Sequence, residues 1–166
     1  MMITRQLGVQ DIHTWKALRL EALQNAPEAF GSSYEEEALY TEDDWHVGLA
    51  KSTIFGAFME GILVGAVGFY TLSHLKLKHR GVLFGLYTSA PYRGQGVANA
   101  LLKTVITHAT LHVSQLHLTC VTTNQEALRL YQKHGFTSYG IEPHALKIGA
   151  QYYDEHLMVC YMVNKR

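Results

Sequence analysis

The amino-acid sequence predicts a single α/β (α+β) domain on a mixed, mostly antiparallel sheet. Three observations lead there. Short strand-like apolar runs recur along the chain, separated by turn residues. From Gly96 onward the pattern changes, and apolar side chains fall at Val97, Leu101, Val105 and Ala109, which is helical spacing. The length, 166 residues, suits about one domain and is enough chain to bury a core without disulfide or metal staples.

The elements follow in order. Residues 3–7 read as a first strand. Asp11 is placed to cap a helix that runs to Asn25, with Ile12, Trp15, Leu18 and Ala22 along one stripe. Pro27 follows it. Ser32 or Ser33 caps a short second helix carrying Glu35, Glu36 and Glu37. Thr41 caps a third, with Glu42, Asp43 and Asp44 in its first turn, where the helix dipole favours acids. Residues 53–59 form a strand, Glu60-Gly61 a tight hairpin turn, and 62–75 a longer strand. A basic turn, Lys76-Leu77-Lys78-His79-Arg80-Gly81, leads to a strand at 82–88. After the helix from Gly96 come a strand at 116–121 and a helix opened by Asn124 and stopped at Gly135. Strands at 136–141 and 152–163 close the chain, separated by a loop at 143–149. No repeat, linker or low-complexity segment interrupts residues 1–166, so the whole chain reads as one domain.

Composition excludes several functions. Lys+Arg and Asp+Glu are both 14, so the formal net charge is zero with His neutral. That argues against a nucleic-acid partner, whose phosphates demand excess positive charge. Gly or His breaks every apolar run before it reaches membrane-spanning length. The first six residues lack the apolar core of a signal peptide. The expectation is a cytoplasmic protein with no membrane partner. Cys120 and Cys160 form no C-x-x-C pair and read as two buried, reduced thiols, so no metal site is expected.

The chemistry lies in the strand at 82–88, its following turn and the helix from Gly96. A strand that feeds a helix through a glycine-containing turn leaves backbone N–H groups converging on one point, and the helix dipole makes that point favourable for anions. Gly94 and Gly96 remove side chains, so a diphosphate can approach the backbone. Arg93 is positioned to cover the turn or a phosphate. A dinucleotide fingerprint would need a third glycine where Asn99 stands, and a Walker lysine is absent. The run Arg93-Gly94-Gln95-Gly96-Val97-Ala98 does match R/Q-x-x-G-x-G/A. Downstream, Asn124 through Phe136 matches N-x-x-A-x-x-x-Y-x-K-x-G-F.

Together these motifs resemble the GCN5-related N-acetyltransferase (GNAT) superfamily, in its bacterial form. The motifs cover residues 82–136, and the element order fits from Ile3 to Val163. The resemblance implies seven strands splayed between the fourth and fifth, about four flanking helices, and acetyl-CoA as co-substrate without a metal. Leu86, Tyr87 and Thr88 would offer main-chain groups to the pantetheine arm and acetyl carbonyl. The arm would lie between the strands at 82–88 and 116–121. Backbone N–H groups from Gly94 through Gln95, Gly96 and Val97 to Ala98 would cradle the pyrophosphate, with Arg93 beside them. Asn124 would hydrogen-bond the arm, and Tyr131 would protonate the departing thiolate. A phenol near pKa 10 suits a thiol leaving group near 8.5.

The sequence departs from this family in one respect. Relatives carry a glutamate base early in the fourth strand or on the fifth, and the corresponding residues here are Val82 and Thr119. His117 shares a strand face with Thr119 and is a candidate base, alongside a water chain or an amine arriving neutral. Cys120 faces the other way and supplies no nucleophile. Candidate acceptor-site residues are Phe30, Tyr34 and Glu35 in the first helical region and Tyr153 at the entry to the last strand. The acids at 35–37 and 42–44 read either as an attractor for a cationic amine or as a solvated helix face. The expected activity is acetyl transfer to a primary amine by direct attack in a ternary complex. The acceptor would be a small molecule or a protein terminus. The rival reading is an inactive or regulatory CoA-binding protein. By analogy with the family, the apolar stretch at 157–163 is a candidate homodimer surface.

Overall fold

The computed structural model describes residues 1–162. Its sheet has seven strands: β1 (Met2–Gln6), β2 (Thr53–Met59), β3 (Ile62–Thr71), β4 (Arg80–Thr88), β5 (Gln115–Val121), β6 (Thr137–Ile148) and β7 (Gln151–Tyr161). Their hydrogen-bonded order is β1-β2-β3-β4-β5-β7-β6. Four longer helices accompany them, α1 (Ile12–Asn25), α3 (Glu42–Lys51), α4 (Val97–Thr110) and α5 (Gln125–Lys133), with a single-turn α2 (Tyr34–Glu37) between the first two. The mixed sheet predicted from sequence is present. β4 runs parallel to β5 over Arg80–Val82 and Gln115–His117, while β1 on β2, β2 on β3, β5 on β7 and β6 on β7 are antiparallel.

The chain clusters into two compact units. The first comprises residues 1–70 and 83–105, and the second 71–82 with everything from Ile106 onward. In the first, the α1 stripe predicted from sequence is buried: Ile12, Trp15, Leu18 and Ala22 pack with Trp45, Ile54, Leu63, Ala66 and Tyr87. Trp15 and Trp45 meet edge to face, with ring centroids 5.4 Å apart. The opening of α4 packs close to β3; a Cβ added at Gly65 would meet Val97 Cγ1 at 2.8 Å and the Tyr87 carbonyl at 2.9 Å. Val97, Leu101, Val105 and Ala109 are all buried, as their spacing requires. In the second unit, Leu116, Phe136 and Met158 are fully buried. Cys120 is buried while Thr119 beside it is exposed, as strand alternation dictates.

Several boundaries and one cap differ from the sequence reading. Strand β3 ends at Thr71 rather than residue 75; turn bonds from Leu77 N–H to the His74 carbonyl and from Arg80 N–H to the Leu77 carbonyl take over, and Leu75 is 82% exposed. β4 accordingly starts at Arg80, two residues before Val82. The predicted loop at 143–149 is mostly strand: β6 continues to Ile148, with its register shifted between Glu142 and Leu146. Pro143 fits there because β6 is an edge strand, where a missing N–H breaks no ladder, and His144 takes the irregularity at φ 51°. Asp11 stands at the N-cap of α1 but does not bond its N–H groups. It turns back to Arg5, at 2.8 and 2.9 Å, and to the Gly8 N–H. The Arg5 hydrogen bonds hold its pKa below the usual carboxylate value. Ser33 and Thr41 do cap α2 and α3. Val163, the last residue of the predicted final strand, lies outside the described residues.

Candidate functional site

The turn between β4 and α4 belongs to the first unit. Ser89 N–H donates to the Val64 carbonyl at 2.9 Å, which fixes the end of β4 on β3. One 3-10 turn (Ala90–Tyr92) follows, then Arg93 in extended backbone. Gly94 and Gly96 sit at φ 76° and 84°, a left-handed conformation in which a Cβ is strained. The first donor to reach back four residues is Ala100 N–H, on the Gly96 carbonyl at 3.0 Å. The first N–H groups of any helix lie beyond the reach of its own carbonyls. Two side chains fold onto the turn: Arg93 Nε donates to the Thr88 carbonyl at 3.1 Å with its guanidinium 5.7 Å from the Tyr87 ring, and Gln95 Nε2 donates to the Pro91 carbonyl at 3.3 Å. The turn is exposed from Arg93 to Gly96. An exposed, glycine-containing turn at a helix start is a favourable place for an anion.

Beside β4 in the same unit lies a small pocket of about 20 Å³, room for about one water, with its mouth open to solvent. Trp15, Leu18, Arg19 and Ala22 of α1 line it, with Ala66 to Gly68 of β3 and Phe84, Gly85 and Tyr87 of β4. Gly85 interrupts β4 at φ 66°, and a Cβ there would sit 3.1 Å from Arg19 Nη1. A second pocket, of about 130 Å³, shares Trp15, Arg19, Ile54 and Phe84 and adds Glu37, Tyr40, Asp44 and Trp45. Arg19 is held on Glu37 by two parallel bonds of 2.9 Å, the planar fork that carboxylates accept best. Both partners are largely buried, with 15% and 6% of their side chains accessible.

The predicted acceptor residues stand elsewhere. Phe30 is in the core, under the Arg19 guanidinium at 5.0 Å. Tyr34 packs against that core, and Glu35 is exposed on α2. Tyr153 lies in the second unit, registered against Leu146. Of the acidic runs, Glu37 and Asp44 line the second pocket, and Glu36 and Asp44 serve helix caps. Sequence reasoning missed Glu21, Arg19 and Trp45. Glu21 accepts hydroxyl bonds from Tyr87 and Ser89, 66 and 68 residues away, and no local pattern signals such a pairing.

The second unit carries the other motif. Asn124 caps α5, its Oδ1 accepting from Ala127 N–H at 3.1 Å, which leaves its amide NH₂ as the donor side. Tyr131 meets Phe136 edge to face at 5.9 Å. Part of its side chain reaches the surface, but burial of the phenol, followed by the nearby Cys120, pushes its pKa well up, so it is protonated at neutral pH. Burial, with a smaller push from Glu155, raises the Cys120 thiol to about 11, and burial also raises Cys160. Neither is a thiolate nucleophile. His117 is half-buried between Gln115 Nε2 at 2.8 Å and the Tyr139 hydroxyl at 3.5 Å. Burial lowers its pKa, as do Arg80 and His79. On β7, Glu155 faces Glu142 in register; burial raises its pKa against a Thr119 hydrogen bond, and Glu142 raises it further. Among the described residues no cluster of His, Cys, Asp and Glu is placed to hold a metal, and no helix is long and apolar enough to cross a membrane.

These features define an α/β fold with an exposed glycine turn opening a helix, and comparison with known proteins gives its family. The sequence profile of the acetyltransferase (GNAT) family matches residues 15–136, and the chain belongs to that family. No curated protein matches it in sequence. Its fold is similar to that of a GNAT acetyltransferase from Streptococcus pneumoniae, at 24% identity and TM-score 0.86, over 98% of this chain and 99% of the other. A ribosomal-protein-alanine N-acetyltransferase from Brucella melitensis is similar at 20% identity and TM-score 0.84, over 96% and 99%. A Salmonella typhimurium protein solved with its cofactor acetyl-CoA is similar at 16% identity and TM-score 0.84, over 99% and 95%.

Proposed function

We propose that the protein moves an acetyl group from acetyl-CoA to a primary amine by direct attack in a ternary complex. The observation that carries this reading is the exposed turn at Gly94 and Gly96, left-handed at both glycines and opening α4. Its N–H groups, from Gly94 through Gln95, Gly96 and Val97 to Ala98, would hold the pyrophosphate. Arg93 braces that turn through the Thr88 carbonyl. Main-chain groups of Leu86, Tyr87 and Thr88 would receive the pantetheine arm and polarise the acetyl carbonyl, and the Asn124 amide would bond the arm. In the reaction the amine lone pair forms the C–N bond, backbone N–H groups stabilise the oxyanion, and the C–S electron pair leaves on sulfur. Tyr131, kept protonated by its burial, supplies the proton to that sulfur as general acid. Direct transfer is supported by the cysteines, whose burial keeps both as thiols. The acceptor would enter the aromatic-walled pocket beside Gly85, and the net-neutral Arg19–Glu37 pair there suits a small amine or a chain terminus. N-acetylation is also the activity in the name of the Brucella fold relative.

Acetyl-CoA at a hundredfold excess over its Kd is expected to stabilise the protein by about 2.7 kcal/mol, read as a rise in Tm. Tyr131→Phe is expected to lower kcat about a hundredfold while leaving acetyl-CoA affinity intact. Absence of stabilisation would remove the cofactor assignment, and an unchanged kcat would remove the acid assignment.

A further inference from the structure

Two hydroxyls converge on one carboxylate at the end of β4. Glu21 of α1 accepts at Oε2 from the Tyr87 phenol and from the Ser89 hydroxyl, each at 2.7 Å. One turn along α1, Asn25 Nδ2 donates to the same phenol oxygen at 3.2 Å. Tyr87 and Ser89 are buried and Glu21 is half-buried. Tyr87 lines the pocket beside Gly85, whereas Glu21 stands outside its lining. Tyr87 is therefore the residue that both lines the pocket and bonds the carboxylate. Two hydroxyls at 2.7 Å on one carboxylate oxygen make charge-assisted bonds that fix its position. A carboxylate reached through a hydroxyl does suit proton movement.

We propose that Tyr87 and Glu21 form a proton relay that draws a proton from the acceptor amine, with Ser89 holding the carboxylate in place. This deepens the reading of the chain as an N-acetyltransferase and rests on it. It also supplies the base missing at Val82 and Thr119. An ammonium acceptor in the pocket gives one N–H proton to the Tyr87 oxygen. The Tyr87 hydroxyl proton passes at the same time to Glu21 Oε2. The amine nitrogen keeps its electron pair and becomes the nucleophile, Tyr87 is unchanged, and Glu21, half-exposed, returns its proton to water. Asn25 occupies one acceptor direction of the phenol oxygen and leaves the other for the amine. The charged groups facing Tyr87 are Glu21 from α1 and the Arg93 guanidinium from the turn. Arg19, also lining the pocket, is neutralised by Glu37. Burial raises the Tyr87 pKa, followed by an opposing Asn25 bond and a further push from Glu21, so the phenol conducts a proton rather than giving up its own permanently.

The test is the pH dependence of kcat/KM for Glu21→Gln, Tyr87→Phe, the double variant and Glu155→Gln. The acceptor is whichever of tyramine, L-phenylalanine, spermidine and an alanine-terminated tripeptide the wild type acetylates best. At pH 7 both single variants are expected to lose about a hundredfold in kcat/KM. The deficit should shrink as pH approaches the acceptor's own pKa, because a neutral amine needs no relay. The double variant should fall no further than either single, since the two residues act in series. Retained stabilisation by acetyl-CoA checks that each variant is folded. A deficit constant with pH would mean that Glu21 only supports the fold and would overturn the relay. So would multiplying losses, or a pH-dependent loss that follows Glu155→Gln instead. A wild type that binds acetyl-CoA but acetylates none of the probes would overturn the transferase reading, whereas an active wild type with a fully active Glu21→Gln would overturn the relay alone.

Discussion

The turn at 89–96 and the pocket beside Gly85 both border β4 in one compact unit, yet they are made of different material. The turn is built from consecutive residues, and its working groups are backbone N–H. The pocket is assembled from side chains of α1, β2, β3 and β4, and its charged member, Arg19 of α1, is held by Glu37 of α2. The contrast teaches that a backbone-built site tolerates side-chain changes but not changes of backbone conformation. A side-chain-built site behaves the other way round. Substitutions in each region should therefore move different observables.

The largest effect is expected in the pocket. Arg19→Met leaves the buried Glu37 carboxylate without its cation and should cost about 3 kcal/mol of stability in urea unfolding. Arg19→Met with Glu37→Leu should recover most of that loss. Neither change should move acetyl-CoA affinity in the folded protein; a shift beyond tenfold would show the two regions to be one. Next comes Gly96→Ala, whose Cβ at φ 84° costs about 1–2 kcal/mol. Acetyl-CoA Kd by calorimetry should rise at least about tenfold, while KM for the amine holds. Arg93→Ala removes an exposed brace rather than a cradle donor, so a Kd change of only about threefold is expected, less than about 1 kcal/mol. The smallest effect concerns His117 of β5, outside both regions. Its folded pKa is lowered, so the unfolded chain binds its proton first, and stability is lost as pH falls below about 6.5. His117→Gln should flatten that loss between pH 7.5 and 5.5 without altering the Kd for acetyl-CoA.

The same contrast explains what was legible in the sequence. Signals carried by neighbours along the chain read correctly. The Glu60-Gly61 hairpin turn has both residues at positive φ, the α4 stripe is buried, and α5 begins after Asn124 and stops before Gly135. Ser33 and Thr41 cap their helices because a cap needs only the next three residues. Where a competing or distant partner decides, local reading failed. Asp11 had a cap's position, but Arg5 and the Gly8 N–H hold its carboxylate instead. Pro143 and Gly149 suggested a loop, but the edge position of β6 tolerates the proline and confines the turn to the residues after Ile148. The acidic run at 35–37 looked uniform, yet Arg19 selects Glu37 for the interior. Glu21 had no signal, because its partners arrive from the far end of β4.

The proposed reaction is acetyl transfer to an amine from a thioester held at the Gly94–Gly96 turn. The most direct measurement combines thiol release from acetyl-CoA with mass analysis of the acceptor across a panel of primary amines. The account predicts thiol release that requires an amine, one N-acetyl group added per thiol freed, and loss of both signals with Gly96→Ala at limiting acetyl-CoA. Thiol release that proceeds equally without any amine, or an acceptor left unmodified while thiol accumulates, would contradict it.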